Sequence, residues 1–256
     1  MAKEMTEHAV YSPLNNTLTP LMGIDNLVRR FGGLVAVNQV SFDVGVGEIV
    51  GLIGPNGAGK TTLFNIISGH LKADSGTLRF NGTDITNMHA SKCARMGIGR
   101  TFQIVKPLAT LTVYENVTVG ALLNNNTKIA RDKAAQIIER VGMSDLMDKL
   151  SGSLTLESRK RLELARALSI EPKIVLLDEI LAGLNASEIE ESIHLIRSLA
   201  VTDNLAVILI EHNLHAIMSL AHKIVVLDYG VKIAQNVPDL VVRDPKVVAA
   251  YLGSDD

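Results

Sequence analysis

A chain of 256 residues, 47% hydrophobic and 20% charged with a formal net charge of −2, has room for one large domain or a domain carrying a subdomain. The near-neutral balance argues against nucleic acid as the main partner, and a single cysteine, Cys93, excludes an internal disulfide framework or a multi-cysteine metal site. Its apolar runs, such as 174–177 and 205–210, stop well short of the ~18 residues that a bilayer span requires, so they read as buried strands of a soluble cytosolic α/β protein.

Residues 1–20 mix Pro13, Asn15, Asn16, Thr17 and Pro20 with no sustained period, and are expected to form a poorly ordered extension. They contain no basic n-region followed by an apolar h-region. Short strands are predicted at 23–28, 40–44 and 48–53. The last runs into a glycine-rich loop followed by a helix at 63–68, the opening of a nucleotide-binding α/β unit. Between 112 and 151 strand signals fade, and Ala134, Ile137, Ile138 and Val141 lie at i, i+3, i+4 and i+7, one face of a helix. We expect a helical subdomain over 103–152, inserted between core segments 21–102 and 153–256. Further on, a helix after Leu162, a strand at 173–177, a helix carrying Ile189, Ile193 and Ile196, and a strand at 205–210 follow a βαβ rhythm that implies a mainly parallel sheet. Residues 224–227 and 231–234, joined at Tyr229-Gly230, read as a hairpin with terminal helices behind it.

Gly54-Pro55-Asn56-Gly57-Ala58-Gly59-Lys60-Thr61-Thr62 matches the phosphate-loop pattern at each specified position. Glycines let successive backbone N–H groups turn toward phosphate oxygens. Lys60 would supply a point charge to the β- and γ-phosphates, the Thr61 hydroxyl would ligate Mg²⁺, and the helix N-terminus points its positive end at the same anion. A glycine-rich turn matching by chance is the bland alternative; the strand before it and the helix after it argue otherwise. Residues 174–177 then form a buried strand that ends in Asp178-Glu179. Asp178 is placed to hold Mg²⁺ directly or through water, and Glu179 to orient and polarise an attacking water, which is most of what phosphoryl transfer to water demands. A kinase is disfavoured because Glu179 directly follows Asp178 and no acceptor-binding motif stands out.

Together these residues resemble the ATP-binding cassette (ABC) ATPases over about residues 21–253. The resemblance implies an α/β phosphate-loop core with a mainly parallel sheet, an antiparallel N-terminal β part and an inserted helical subdomain. It implies that Phe31, in Arg30-Phe31-Gly32-Gly33, stacks on adenine, that Gln103 meets Mg²⁺ and the water, and that His212 contacts the γ-phosphate. A metal pair of His212 with His215 lacks a third ligand at suitable spacing. Gly97-Ile98-Gly99-Arg100-Thr101-Phe102-Gln103, Ala182-Gly183-Leu184-Asn185, Leu227-Asp228-Tyr229-Gly230 and Val248-Ala249-Ala250-Tyr251-Leu252-Gly253 look like the branched-chain amino acid uptake subgroup. That subgroup pairs two ATPase subunits, usually different chains, on the cytoplasmic face of the inner membrane. They drive two transmembrane permeases fed by a periplasmic binding protein. In the family the helical subdomain and the loop after Gln103, here including Pro107, Leu111 and Tyr114, receive the permease's coupling helix.

The chain departs from the family at its signature, Leu-Ser-Gly-Gly-Gln, which contacts ATP held by the partner subunit. Here Leu154-Thr155-Leu156-Glu157-Ser158 stands in its place. Thr155 can still cap a helix, but Leu156 and Glu157 replace both glycines. A carboxylate ~4 Å from a phosphate charge repels it by ~4 kcal/mol at an effective dielectric of 20. This predicts an impaired signature and an asymmetric pairing with a second cassette whose signature is intact. Two other readings stay open: a regulatory module that clamps ATP with little turnover, and a cytosolic ATPase coupled to no permease. Ile180 stands where the family usually has proline, and Asn185 where many members have aspartate. Arg159-Lys160-Arg161 reads as a solvated helix face, and Cys93 as an inert structural thiol.

Overall fold

The computed structural model describes residues 19–103 and 106–252; residues 1–18 of the expected N-terminal extension lie outside them. Strands β1 (Met22–Phe31) and β2 (Leu34–Val44) form an antiparallel hairpin. Strand β3 (Ile49–Ile53) leads through the phosphate loop to helix α1 (Lys60–Ile67). Then come β4 (Ser75–Phe80), β5 (Thr83–Asp84), α2 (Ala90–Arg95) and β6 (Ile98–Arg100). Helices α3 (Val113–Ala121) and α4 (Thr127–Arg140) precede α5 (Leu156–Leu168). The chain closes with β7 (Ile174–Asp178), α6 (Ala186–Thr202), β8 (Ala206–Ile210), α7 (Leu214–Leu220), β9 (Lys223–Asp228), β10 (Val231–Asn236), α8 (Pro238–Val241) and α9 (Pro245–Leu252).

Among the described residues two sheets result: a four-stranded antiparallel one ordered β2-β1-β4-β5, and a six-stranded one ordered β10-β9-β3-β8-β7-β6. The second is parallel from β9 to β6, with β10 as an antiparallel edge. Its central strands are buried on both faces, as parallel strands require, and alternation divides the core. On β7, Val175 and Leu177 pack with the helices α3 to α7, while Ile174 and Leu176 pack with α1 and the antiparallel sheet; Val207 and Leu209 of β8 against Ile208 and Ile210 do the same. The layers are therefore antiparallel sheet with α1, parallel sheet, and helices.

Side-chain caps set the helix starts. Asn126 caps α4, Thr155 caps α5, and Thr112 with Glu115 and Asn185 with Glu188 form capping boxes on α3 and α6. Asn185 thus performs the capping that aspartate would, the two residues being equivalent there. Helix α5 begins at Leu156 rather than after Leu162, because the polar run from Glu157 to Arg161 hides its period from a hydropathy reading. Strand β6 falls within the Gly97 to Gln103 motif, where three residues are too few to show alternation. Among the described residues, no helix is long and apolar enough to cross a membrane.

Candidate functional site

Strand β3 delivers the loop to α1, and two glycines are required there by close backbone approach. At Gly54, φ is +150° and a Cβ would meet Leu227 O at 2.0 Å; at Gly59, φ is +99° and it would meet Ala36 O at 2.2 Å. Gly57, with φ +81°, has open space where its Cβ would stand. The glycines therefore serve two ends, wedging the loop between β2 and β9 and leaving its inner side bare. Gly59 gives α1 no side-chain cap, so the first-turn N–H groups of α1 are free to face an anion. Lys60 Nζ lies across the loop, donating to Gly54 O at 2.7 Å and Pro55 O at 3.0 Å. Burial lowers its pKa, while Glu179 and Asp178 oppose that shift.

Phe31 and the loop residues Asn56, Gly57, Ala58, Gly59, Lys60, Thr61 and Thr62 line one cavity of about 460 Å³ together with Gln103, Glu179 and His212. The Arg29 guanidinium sits 4.8 Å above the Phe31 ring, covering one face by a cation–π contact. Gln103 Nε2 donates to Glu179 Oε2 at 2.7 Å, and His212 Nε2 lies 3.1 Å from Glu179 Oε1. Two residues from the loops after β6 and β8 thus meet around the Glu179 carboxylate.

Glu179 is held in a left-handed conformation, φ +50°, which costs a non-glycine residue on the order of 1–3 kcal/mol. The surroundings fix it. Its N–H donates to Ile210 O at 2.9 Å, and Lys160 Nζ donates to its carbonyl at 3.0 Å and also to Ala182 O. Ile180 turns into the core and is 8% exposed, so the absent proline leaves the loop packed. Lys160 corrects the reading of Arg159 to Arg161 as a solvated face: it is 6% exposed, because α5 runs beneath the loop after β7 and that loop's carbonyls need a donor.

Thr61, Gln103 and Asp178 line a second, adjoining cleft with Arg100. Their hydroxyl, amide and carboxylate oxygens form the hard donor set that suits Mg²⁺, so the residues fit that cation. Asp178 is 3% exposed. Burial raises its pKa, against the opposing pull of Arg100.

Thr155, Leu156, Glu157 and Ser158 line neither cavity. They sit at the start of α5, where the Thr155 hydroxyl accepts from Ser158 N at 3.3 Å. Arg161 donates to Glu157 at 2.8 Å and to Glu191 at 3.0 Å. The Glu157 carboxylate is therefore drawn back along its own helix, and the repulsion expected from the sequence is reduced.

Glu211, Lys160 and Arg100 carry site geometry that sequence reasoning missed; a charge that burial will enclose looks the same in sequence as a solvated one. Glu211 is 5% exposed, and its carboxylate accepts from Leu181 N at 2.8 Å. Desolvation pushes its pKa up to about 7, although Lys160 opposes the shift. The folded protein then holds a proton that the unfolded chain has released, so this stabilisation is complete below pH 4.5 and lost as pH rises through 7. With the carboxyl raised from its ordinary 4.5 to about 7, the loss amounts to roughly 3 kcal/mol. Urea unfolding at about pH 5 and pH 8 is expected to show it in the wild type; Glu211→Gln should flatten it.

The ABC transporter family model matches residues 37–182. The chain is 37% identical over 250 residues to the high-affinity branched-chain amino acid transport ATP-binding protein LivG of Salmonella typhimurium, covering 91% of this chain and 98% of that one. Against BraF of Pseudomonas aeruginosa, of the same description, identity is 36% over the same shares. The crystal structure of the ADP conformation of MJ1267, an ATP-binding cassette of an ABC transporter, superposes with a TM-score of 0.84 at 32% identity, covering 93% of this chain and 100% of that chain.

Proposed function

We propose a specific task and site for this chain, which belongs to the ABC transporter family as an ATP-hydrolysing subunit of an importer: it powers uptake of branched-chain or related amino acids. The observation that carries the site assignment is the Gln103–Glu179–His212 cluster lining one cavity with Phe31. Adenine stacks on the free face of Phe31. The phosphates lie on the first-turn N–H groups of α1, with Lys60 on the β- and γ-oxygens. Thr61, Gln103 and Asp178 would hold Mg²⁺, which would supply charge neutralisation of the phosphate oxygens.

Glu179, at the cavity wall between Gln103 and His212, is the carboxylate placed to orient the attacking water. A water oriented there by Glu179 and Gln103 attacks phosphorus, its proton passes to the Glu179 carboxylate, and the bond to the β–γ bridging oxygen breaks with its electron pair leaving on ADP. His212, on the other carboxylate oxygen of Glu179, holds the γ-phosphate and releases its contact when inorganic phosphate departs. The presence of all three groups in one contact set favours turnover over a purely regulatory clamp.

The chain works as half of an ATPase dimer bound to membrane permeases, on the cytoplasmic face of the membrane, with a periplasmic binding protein delivering solute. Its altered signature points to a different cassette as the partner, so that this chain's phosphate loop completes one full site with the partner's signature. Proteoliposomes holding the permeases and both cassettes are expected to take up leucine, isoleucine and valine on ATP addition, and to lose uptake with Lys60→Ala. ATP hydrolysis without uptake of any of the three would refute the solute assignment.

A further inference from the structure

Arg100 is a buried cation that the reaction just described does not use. It lies on β6, beside β7, with its side chain 6% exposed and the Asp178 side chain 3% exposed. One guanidinium nitrogen, Nη1, donates to Asn65 Oδ1 on α1 at 2.7 Å and to Ser68 Oγ, at the C-cap of α1, at 2.8 Å; the other, Nη2, reaches Asp178 Oδ2 at 3.3 Å. The group also lies 4.9 Å from the ring centre of Phe102, next to Gln103. The two bonds to α1 are short and the bond to the carboxylate is long for a charge-assisted one. The anchor is therefore α1, and Asp178 is the partner that can let go.

We propose that Arg100 is a resident counter-ion for Asp178 that competes with the divalent cation for the carboxylate. The inference rests on the reading of Asp178 as a metal ligand. Without metal, the guanidinium is the stronger of two cations, with Lys60, that balance this buried acid, and it keeps the carboxylate aimed at the cleft shared with Thr61 and Gln103. With metal bound, the same positive charge opposes it across the cleft. Arg100 is thus a positioning residue with two effects of opposite sign: it stabilises the metal-free protein and weakens the metal's grip. A merely structural role would give both effects the same sign.

The test uses the full chain, a fluorescent trinitrophenyl ATP and Mn²⁺. The readout is the factor by which Mn²⁺ tightens nucleotide binding relative to EDTA, alongside thermal unfolding in EDTA. Arg100→Gln and the apolar, similarly long Arg100→Met are expected to raise that factor by about tenfold, the effect of removing one unit charge a side chain's length from a divalent ion in a water-like dielectric. Both should lower the unfolding temperature in EDTA. Arg100→Lys, which keeps the charge, should leave the factor within about twofold on the same basis. An unchanged or smaller factor in the folded neutral variants would overturn the proposal. Asp178→Asn is the control for the underlying reading: it should abolish the Mn²⁺ effect, and if it does not, the assignment of Asp178 itself fails.

Discussion

Replacing Glu179 by Gln is expected to lower ATP turnover by about 10²–10⁴-fold, the range for loss of a positioned general base, while ATP binding persists. The amide is nearly isosteric with the carboxylate, so the backbone held by Ile210 and Lys160 has no reason to move. Its oxygen can still accept from Gln103, and its NH₂ can donate to His212 Nε2 in the other tautomer, so the cluster survives in shape. What it loses is a group able to take the water's proton. It also loses a negative charge beside the γ-phosphate, so ATP should be held longer and the closed dimer should accumulate. Single-turnover rates and size-exclusion chromatography with ATP check both halves. Normal turnover in the variant would remove Glu179 from the chemistry.

The elements that place the site were legible because their signals are local. Strand β3, the loop and α1 are contiguous, and β7 is a run of apolar residues ending in two acids. Phe31, Gln103 and His212 follow only from resemblance, since nothing in their own spacing says that a hairpin end, a loop after β6 and the end of β8 converge; the β8-β7-β6 order brings Gln103 and His212 to either side of Glu179, and Phe31 comes from the separate antiparallel sheet. The buried charges were not legible at all. Arg100 sits in a strand of three residues, and Lys160 sits in a helix turn of three consecutive cations. Whether such a group faces water depends on what packs over it: the loop from Glu179 to Ala182 for Lys160, α1 and Phe102 for Arg100. Likewise, the sequence charges Glu157 with repelling phosphate, and only the structure supplies Arg161 to turn it away.

That pairing decides how the altered signature should behave. With the Glu157 carboxylate engaged by Arg161, the larger obstacle to a partner-bound phosphate is steric. Leu156 is 52% exposed at the first turn of α5, where the family signature has a glycine, so its side chain stands where a partner-bound phosphate would approach the helix. Replacing Leu156→Gly, Glu157→Gly and Ser158→Gln together is therefore expected to raise ATP turnover of the chain on its own by roughly 10²-fold, the scale of regaining donors aimed at developing phosphate charge. The helix should lose about 1 kcal/mol or less per glycine, since both lie in the first turn. In the mixed dimer the two sites should then be unequal. Lys60→Ala in this chain should abolish hydrolysis, because it empties the site served by the partner's intact signature. The equivalent lysine change in the partner should spare most of it, because that site already depends on Thr155 to Ser158. Equal losses from the two changes, or an unmodified chain that turns over as fast alone as the triple variant, would show that these four residues still function as a working signature.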